Sequence, residues 1–563
     1  MPQSVGHLVY RGTVNLGRTA ARAGTSAAVV GGSFPAGRVA PVHAKSAPVA
    51  SVSVPNPPST SIVSKTGGAQ GFVGLTAADN GALNGFDVEP PDQGLCAHEG
   101  VVLEPVNLAV RAYSESGVAL TPAVSLNGFF GLPPAVNFSH NPSTFGPFLS
   151  DPRCYYDAQT GRWFVTSLEI DVNPYTGNFG FRSSELIAVS QTTDPTGNYG
   201  LFSFDTTNDG SDGTPAEPNC PCFGDQPRIG ADAHGFYIST DSYPIQGVFN
   251  SNGGELYAIS KQGLAAAATG SAPLPTPVAI HVGAVPIDGY PANAVQPAET
   301  PEGGSYAPNR EYFLSTPDFN GFATMGGAGA RAVVLWTLSK TSSLASVSPS
   351  LTLTDAILPS EGYAPPANAA QKPGPRPLGQ SLGAPLPPLS VNDDRMQQVE
   401  YLGGRLFSAL NTGVGPNGTA NRSGVAWFVV TPSGTGGTVS HQGYLATGNG
   451  ATLLYPAIGL NQAGLGVMTF SVSGPTYYPS AAYVLFNGTA PSGPIYNNGR
   501  GARPEDGFTC YSAEGFGPAC RWGDYSAASS DGSGHIVMGD EMIPNTARDA
   551  LANWGTFLST LNR

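Results

Sequence analysis

Acidic and arginine residues recur where short apolar runs begin: Asp92, Asp151 with Arg153, Asp225 with Arg228, Asp394 with Arg395, and Arg521 with Asp524. Carboxylates and guanidinium groups gathered in one place support two kinds of chemistry. A guanidinium fork takes two oxygens of an anionic sugar at once. A carboxylic acid of raised pKa protonates a glycosidic oxygen while a second group acts as base or nucleophile. Tyr156 or Tyr525 would serve as nucleophile if a carboxylate adjoined it. The same residues also have a structural use. Asp and Arg at strand starts hydrogen-bond the turns of a neighbouring sheet and satisfy its open backbone groups, and this is the expected role of most of them. No catalytic residue is assigned from sequence alone.

Other segments carry less chemistry. Residues 205–213 form an acidic, Gly-containing loop that offers oxygen ligands to calcium, but the EF-hand spacing and its terminal Glu are absent. The expectation is therefore no cofactor and no metal, with calcium at this loop the single exception weighed. His98, His140, His234 and His535 have no partner at metal-ligand spacing. Neither a Gly-x-Ser-x-Gly elbow between strand and helix nor a phosphate-binding glycine loop is present, so nucleotide chemistry is not indicated. Tyr155-Tyr156 and Tyr477-Tyr478 offer rings for stacking on sugars, although Tyr in strands is more often packing. The six cysteines, Cys96, Cys154, Cys220, Cys222, Cys510 and Cys520, fit disulfides better than zinc, because Cys220 and Cys222 are separated by one residue rather than two. Cys510 and Cys520 bracket a Gly-containing loop and are expected to close locally. The other four leave several pairings open.

The elements that would position these residues are short strands. With Gly 74, Pro 52 and charged residues at only 11% of 563, the composition is that of many strands joined by tight turns. One pattern returns every 50 to 90 residues or so: a polar turn, a β-rich run, a Gly turn, a second run. The clear copies begin at Ser150, Gly224 and Asn392, the last turning at Gly403-Gly404 into Arg405 to Leu410. Looser copies begin near Pro90, Tyr312, Tyr455 and Arg521. Units of this kind bury two faces and must stack, and a ring removes the open ends. The predicted fold is all-β, a seven-bladed β-propeller over 69–563 behind a flexible Ala/Ser/Pro-rich tail or export segment over 1–68. The last unit is one strand short, and residues 70–75 are expected to supply it, which makes 1–65 dispensable and 70–76 not.

The net charge of −14 is unevenly placed: residues 1–78 contain no acid, so the remainder holds the whole acidic excess. Such a body repels phosphate backbones and excludes nucleic acid as a partner. No apolar run reaches the length of a membrane span. The cysteines and the modestly apolar 23–30 point to export and an extracellular or cell-surface location. A monomer is expected.

Pro90-Pro91-Asp92, Ser150-Asp151-Pro152-Arg153, Gly161-Arg162-Trp163 and above all Arg521-Trp522-Gly523-Asp524-Tyr525-Ser526 resemble elements of secreted bacterial β-propeller proteins that are distantly sialidase-like. The resemblance spans 70–563 and implies the fold more than a function, since propellers host lectins, hydrolases, lyases and scaffolds. The sialidase repeat Ser-x-Asp-x-Gly-x-Thr-Trp has no intact copy. The functional expectation is an extracellular binding or scaffold protein with a glycan or protein ligand; the alternative is a sialidase-like glycoside hydrolase using the Arg and carboxylate funnel.

Overall fold

The computed structural model describes residues 3–19, 52–246, 251–287, 289–317 and 329–563. It is all-β, built of antiparallel meanders in chain order. The first unit comprises Cys96–His98, Val101–Val106, Ala109–Ser114 and Val124–Ser125. The second comprises Phe148–Asp157, Arg162–Val172, Phe179–Ser190 and Asn198–Asp205. The third runs Cys222–Ala231, Gly235–Pro244, Gly253–Ser260 and Val278–His281. The fourth runs Gln296–Glu299, Arg310–Ser315, Ala330–Ser339 and Thr352–Tyr363. The fifth runs Val399–Leu402, Arg405–Val414, Arg422–Ser433 and Gly436–Thr447, and a short parallel bridge between Ala298 and Val399 joins it to the fourth. The sixth comprises Thr452–Leu460, Gly466–Gly474, Tyr477–Phe486 and Pro491–Gly499. The seventh has Ala527–Ser530, His535–Met542 and Gly555–Asn562, completed by Gln70–Thr76 from the far end of the chain.

These strands form because their side chains alternate between two apolar neighbours rather than between core and water. Trp163 and Val165 pack with Val110 of the first unit, while Phe164 between them packs with Phe236 of the third, ring centroids 4.7 Å apart. Tyr237 then packs with Trp336, Leu335 with Phe428, Phe407 with Phe470, Val467 with Met538, and Val537 with Leu95 and Tyr113 of the first unit. Burial on both faces explains why so many strands read as apolar throughout. The first strand of each unit also touches the first strand of the next, and the seventh touches the first. The series of contacts returns to its start.

The sequence leaves residues 1–68 as a tail, and the structure differs where it describes them. Gln3–Val5 pairs with the outer strand of the third unit and Val9–Asn15 with that of the second. Ser59–Thr60 and Ile62–Val63 add parallel partners to the fifth and sixth. Sequence patterning misses these pieces because they are short and cover sheet edges, where backbone pairing rather than an apolar face holds the strand. The proposed export residues 23–30 lie outside the described residues.

Gln70–Thr76 is a different matter from the edge strands. Leu75 is buried in a cluster with Trp554, its N–H donates to Glu104 Oε2 at 3.0 Å, and Phe72 packs on Tyr113 at 5.3 Å. Deleting 70–76 removes a strand and strands the buried Glu104 carboxyl, so the melting temperature is expected to fall by roughly 10 °C or more, or the chain to fail to fold. Deleting 1–19 removes two edge strands, the buried Leu16 side chain and the Arg11–Glu169 ion pair at 2.9 Å, an expected loss smaller than that from 70–76. Differential scanning calorimetry of the two deletions gives the comparison.

Three disulfides join Cys96 to Cys154, Cys220 to Cys222 and Cys510 to Cys520, the last as the spacing suggests. They are compatible with an oxidising, extracellular compartment. Among the described residues, no helix is long and apolar enough to cross a membrane.

Candidate functional site

The first strands begin with an irregularity that shapes one end of the molecule. Asp92, Asp151, Gln226, Ala294, Asn392 and Tyr455 all have left-handed backbone, with φ between 40 and 53°. Register shifts accompany three of them, at Ser150/Arg153, Asp225/Arg228 and Leu454/Ala457. Such bulges re-aim side chains and leave amides out of the ladder. Neighbouring units supply the missing partners. The N–H of Asp151 donates to Asn107 Oδ1 at 2.8 Å, that of Ala294 to Asp241 Oδ1 at 2.8 Å, and that of Tyr455 to Asn411 Oδ1 at 2.9 Å.

Asp524 is the hub of this mouth. Its N–H donates to Asp92 Oδ1 at 2.7 Å, its Oδ2 accepts from Gln226 Nε2 at 2.7 Å, and its Oδ1 accepts from Asn392 Nδ2. Residues from or leading into the first, third and fifth units thus meet at Asp524, with Gln226 and Asn392 at its carboxylate and Asp92 at its N–H. Asp92 Oδ2 accepts from Asn107 Nδ2 at 2.7 Å.

The four candidate arginines separate into different roles. Arg228 pairs with Asp241 at 2.8 Å, both 1% exposed, and Arg395 with its neighbour Asp393 at 2.6 Å. Both also donate to Gln226 Oε1. Arg153 lies over the Tyr525 ring, 3.5 Å from its centroid, and donates to Pro227 O. Arg521 keeps 53% of its side chain accessible and stands 4.0 Å from Asp524. Its charged form is favoured because Asp524, Asp92, Asp151 and Asp225 outweigh the opposing effect of burial. Asp394 is buried beside this set.

Burial, then the charges of Asp225 and Asp524, push the Asp151 carboxyl up to about 7 against the pull of Arg521 and Arg153. Burial, then Asp241 and Asp524, push Asp225 up to about 7 against Arg395 and Arg228. Asp92 is raised well above the usual carboxylate range, by burial first and then by Asp524 and Asp151.

Below the mouth, a small cavity of about 20 Å³, room for one water molecule, lies between the first strands and is lined by Leu95, Arg153, Ile229, Gln296, Glu299 and Gln398. Burial raises Glu299 to about 8, with Arg153 pulling the other way. Residues 300–309 run past the opposite ends of the first strands: Tyr155 donates to Thr300 O at 3.0 Å, and His98 Nδ1 meets Glu302 Oε1 at 2.9 Å. Tyr156 bonds His98 Nε2 at 3.0 Å there. It is about five residues along its strand from Asp151, and so away from the mouth. Tyr525, buried under Arg153, is the tyrosine that does adjoin the carboxylates.

Long connections wall the mouth. The Arg521 N–H donates to Thr509 Oγ1 at 3.1 Å, and Cys520, next to Arg521, is tied both to Cys510 and, through its carbonyl, to the Ser390 N–H. The local disulfide therefore positions the accessible guanidinium. Gly523 N donates to Glu541 Oε2 at 2.6 Å, and Glu89 accepts from Thr509 N at 3.1 Å.

Sequence reasoning missed Gln226, Asn392, Asn107, Asp241, Glu299 and Glu541. Gln226 and Asn392 share the left-handed position with Asp92 and Asp151, and their adjacency to Pro227 and to Asp393-Asp394 was the available signal. Elsewhere, the 205–213 loop turns on itself: Asp205 accepts from Thr207 N, Asp209 from Ser211 N, and Asp212 pairs with Arg182 at 3.1 Å. Tyr478 packs beneath Lys372, whose amine is 4.5 Å from the ring centroid. His535, placed without a partner by spacing, meets Glu115, distant in sequence, at 2.8 Å and Asp531, four residues before it, at 3.4 Å.

No family model and no curated protein matches the sequence. Among solved structures, the chain is similar to a GH43 β-1,3-galactosidase with galactodeoxynojirimycin (11% identity, 65% of this chain and 97% of that one, TM-score 0.28). It is similar also to an exo-β-1,3-galactanase from Clostridium thermocellum (10% identity, 88% and 97%, TM-score 0.29) and to an α-L-arabinofuranosidase from Fusarium graminearum with an iminosugar inhibitor (11% identity, 72% and 91%, TM-score 0.34). A Saccharomyces cerevisiae complex of dbp5, nup159 and gle1 reaches a similar level (7% identity, 91% and 100%, TM-score 0.32). At such identities the chemistry of this chain has to be read from its own residues.

Proposed function

We propose that the units are the seven blades of a β-propeller and that its mouth is a carbohydrate site equipped to cleave a glycosidic bond. The ring reading is supported by first strands that contact one another in a series returning to its start. One observation carries the catalytic reading: Asp151 and Asp225, both raised to about 7, face the same accessible guanidinium. At neutral pH this pair holds a protonated carboxyl, able to donate to a leaving oxygen, beside an ionised one able to take a proton from water or attack the sugar. Arg521 orients ligand oxygens, and Glu299 sits as a protonated carboxyl in the cavity beneath. The disulfides fit export to the cell exterior.

The test is release of reducing sugar from a panel of galactans, arabinans and sialylated glycans. Asp151→Asn and Asp225→Asn are each expected to lower turnover about 100-fold or more while binding weakens less than tenfold. A wild-type protein that binds an oligosaccharide without cleaving it would instead make this a binding module. That second reading draws on Arg228 and Arg395, whose charges are already satisfied by Asp241 and Asp393. Asparagine variants as active as wild type would remove the pair from the reaction.

A further inference from the structure

Away from the mouth, the third unit carries a cluster that neither the ring nor the proposed chemistry uses. Glu255 and His281 are cross-strand partners on the third and fourth strands of that sheet, so their side chains share a face. Glu217 reaches them from the preceding connection, held by its own N–H donating to Asn208 O at 2.9 Å and by Ser242 Oγ donating to Glu217 Oε2 at 2.9 Å. One ligand atom from each of the three lies within 4.8 Å of the others. His281 Nδ1 is 2.8 Å from Glu217 Oε1 and also contacts Glu255 Oε1. The Glu217 and Glu255 side chains are 3% and 1% exposed, that of His281 20%.

A proton does not satisfy this arrangement. One Nδ1–H forms one well-aligned hydrogen bond, yet two carboxylates converge on it. The second oxygen of Glu255 is buried with no hydrogen-bond partner. Two adjacent buried carboxylates converging on a single imidazole donor leave oxygen lone pairs without a partner in a dry place, which is costly. A divalent cation at the shared point neutralises both, and one nitrogen with two carboxylate oxygens is a donor set suited to zinc. Ser242 then holds a ligating carboxylate from outside, as second partners of metal ligands do.

We propose that Glu217, Glu255 and His281 bind one divalent transition-metal ion, zinc by donor set, which clamps the 206–222 connection to the outer strands of the third unit. The side on which His281 is accessible leaves a position for water. The cluster was invisible in sequence because the three residues are spread over 65 positions with no short spacing.

The experiment is a calorimetric titration of zinc chloride into full-length, tag-free protein stripped with chelator, with bound metal counted by elemental analysis. One zinc per chain with a Kd of about 1 μM or tighter is expected. His281→Ala and Glu217→Gln, each checked for folding by near-UV circular dichroism, should weaken it about 30-fold or more. His535→Ala, which disrupts the Glu115–Asp531–His535 group, should leave it unchanged. Absence of zinc uptake by the stripped wild type overturns the proposal without reference to any variant. So does a loss confined to His535→Ala. Activity at the mouth is no part of the readout, so this result and the carbohydrate assay stand or fall separately.

Discussion

Replacing Arg521 with alanine is expected to weaken carbohydrate binding or turnover by about 100-fold, while the melting temperature at pH 5 changes by only a few degrees. Among the four candidate arginines it is the most accessible, with 53% of its side chain open, whereas Arg228 and Arg395 are almost fully enclosed with Asp241 and Asp393. Removing Arg228 or Arg395 would strand a buried carboxylate and cost stability. Removing Arg521 leaves carboxylates that can keep their protons: Asp151 and Asp92 are already raised, and without the cation they rise further. The cost therefore stays small in acid and grows as the pH passes about 7 and these groups are forced to ionise. Arg521→Lys separates charge from geometry, since an ammonium keeps the field but not the two-pronged contact. If the catalytic reading holds, lysine restores less than a tenth of the loss, and the pH optimum of Arg521→Ala moves upward. Unchanged ligand affinity with a lower melting temperature at every pH would make the mouth a structural knot and nothing more. Binding measured by calorimetry and melting measured at pH 5 and 8 distinguish these outcomes.

Much of the fold was legible because its information is local. Gly403 and Gly404, at φ 59 and 79°, turn Leu402 back onto Arg405 as the double glycine predicts, and 70–76 does complete the last sheet. The recurring Asp and Arg positions do gather at one end, because each stands at the same place in its unit. What sequence could not show is which charge meets which. Arg228 is closed off by Asp241, thirteen residues away on the next strand, while Asp524 finds Gln226 and Asn392 from other units. Those pairings depend on contacts between units, which no single unit encodes. Glu299 escaped notice for a related reason: its strand, Gln296–Glu299, is only four residues long and its pairing to Val399–Leu402 is parallel and brief, leaving no periodic pattern to read. The N-terminal edge strands were missed although Val9–Asn15 is rich in Val, Tyr and Thr, because the Ala/Ser/Pro-rich residues that follow set the reading of the whole segment and each strand pairs with a sheet edge far away in sequence.

The second large effect concerns stability and pH, and its sign is set by the carboxylates the ring buries. Glu104, Asp151, Asp225, Glu505 and Asp540 are raised to about 7 and Glu299 to about 8, in each case chiefly by burial. In the unfolded chain these groups ionise near their ordinary values around 4. Between about pH 4 and pH 7 to 8, the folded protein therefore binds more protons than the unfolded one, and stability falls as the pH rises through that window. Glu217 and Asp209 are lowered and oppose the trend, but they are few. The melting temperature is accordingly expected to be higher at pH 5 than at pH 8 by roughly 5 °C or more, the reverse of a protein held by ion-paired carboxylates. Asp540→Asn makes the effect specific. Asp540 is 2% exposed and accepts from Thr469 Oγ, so the amide, neutral at every pH, should leave pH 5 stability nearly unchanged and flatten the decline toward pH 8. A melting temperature that climbs from pH 5 to pH 8 would mean that these carboxylates are ionised in the folded state. The proton that Asp151 and Asp225 are proposed to share would then be missing at the pH where the site has to work.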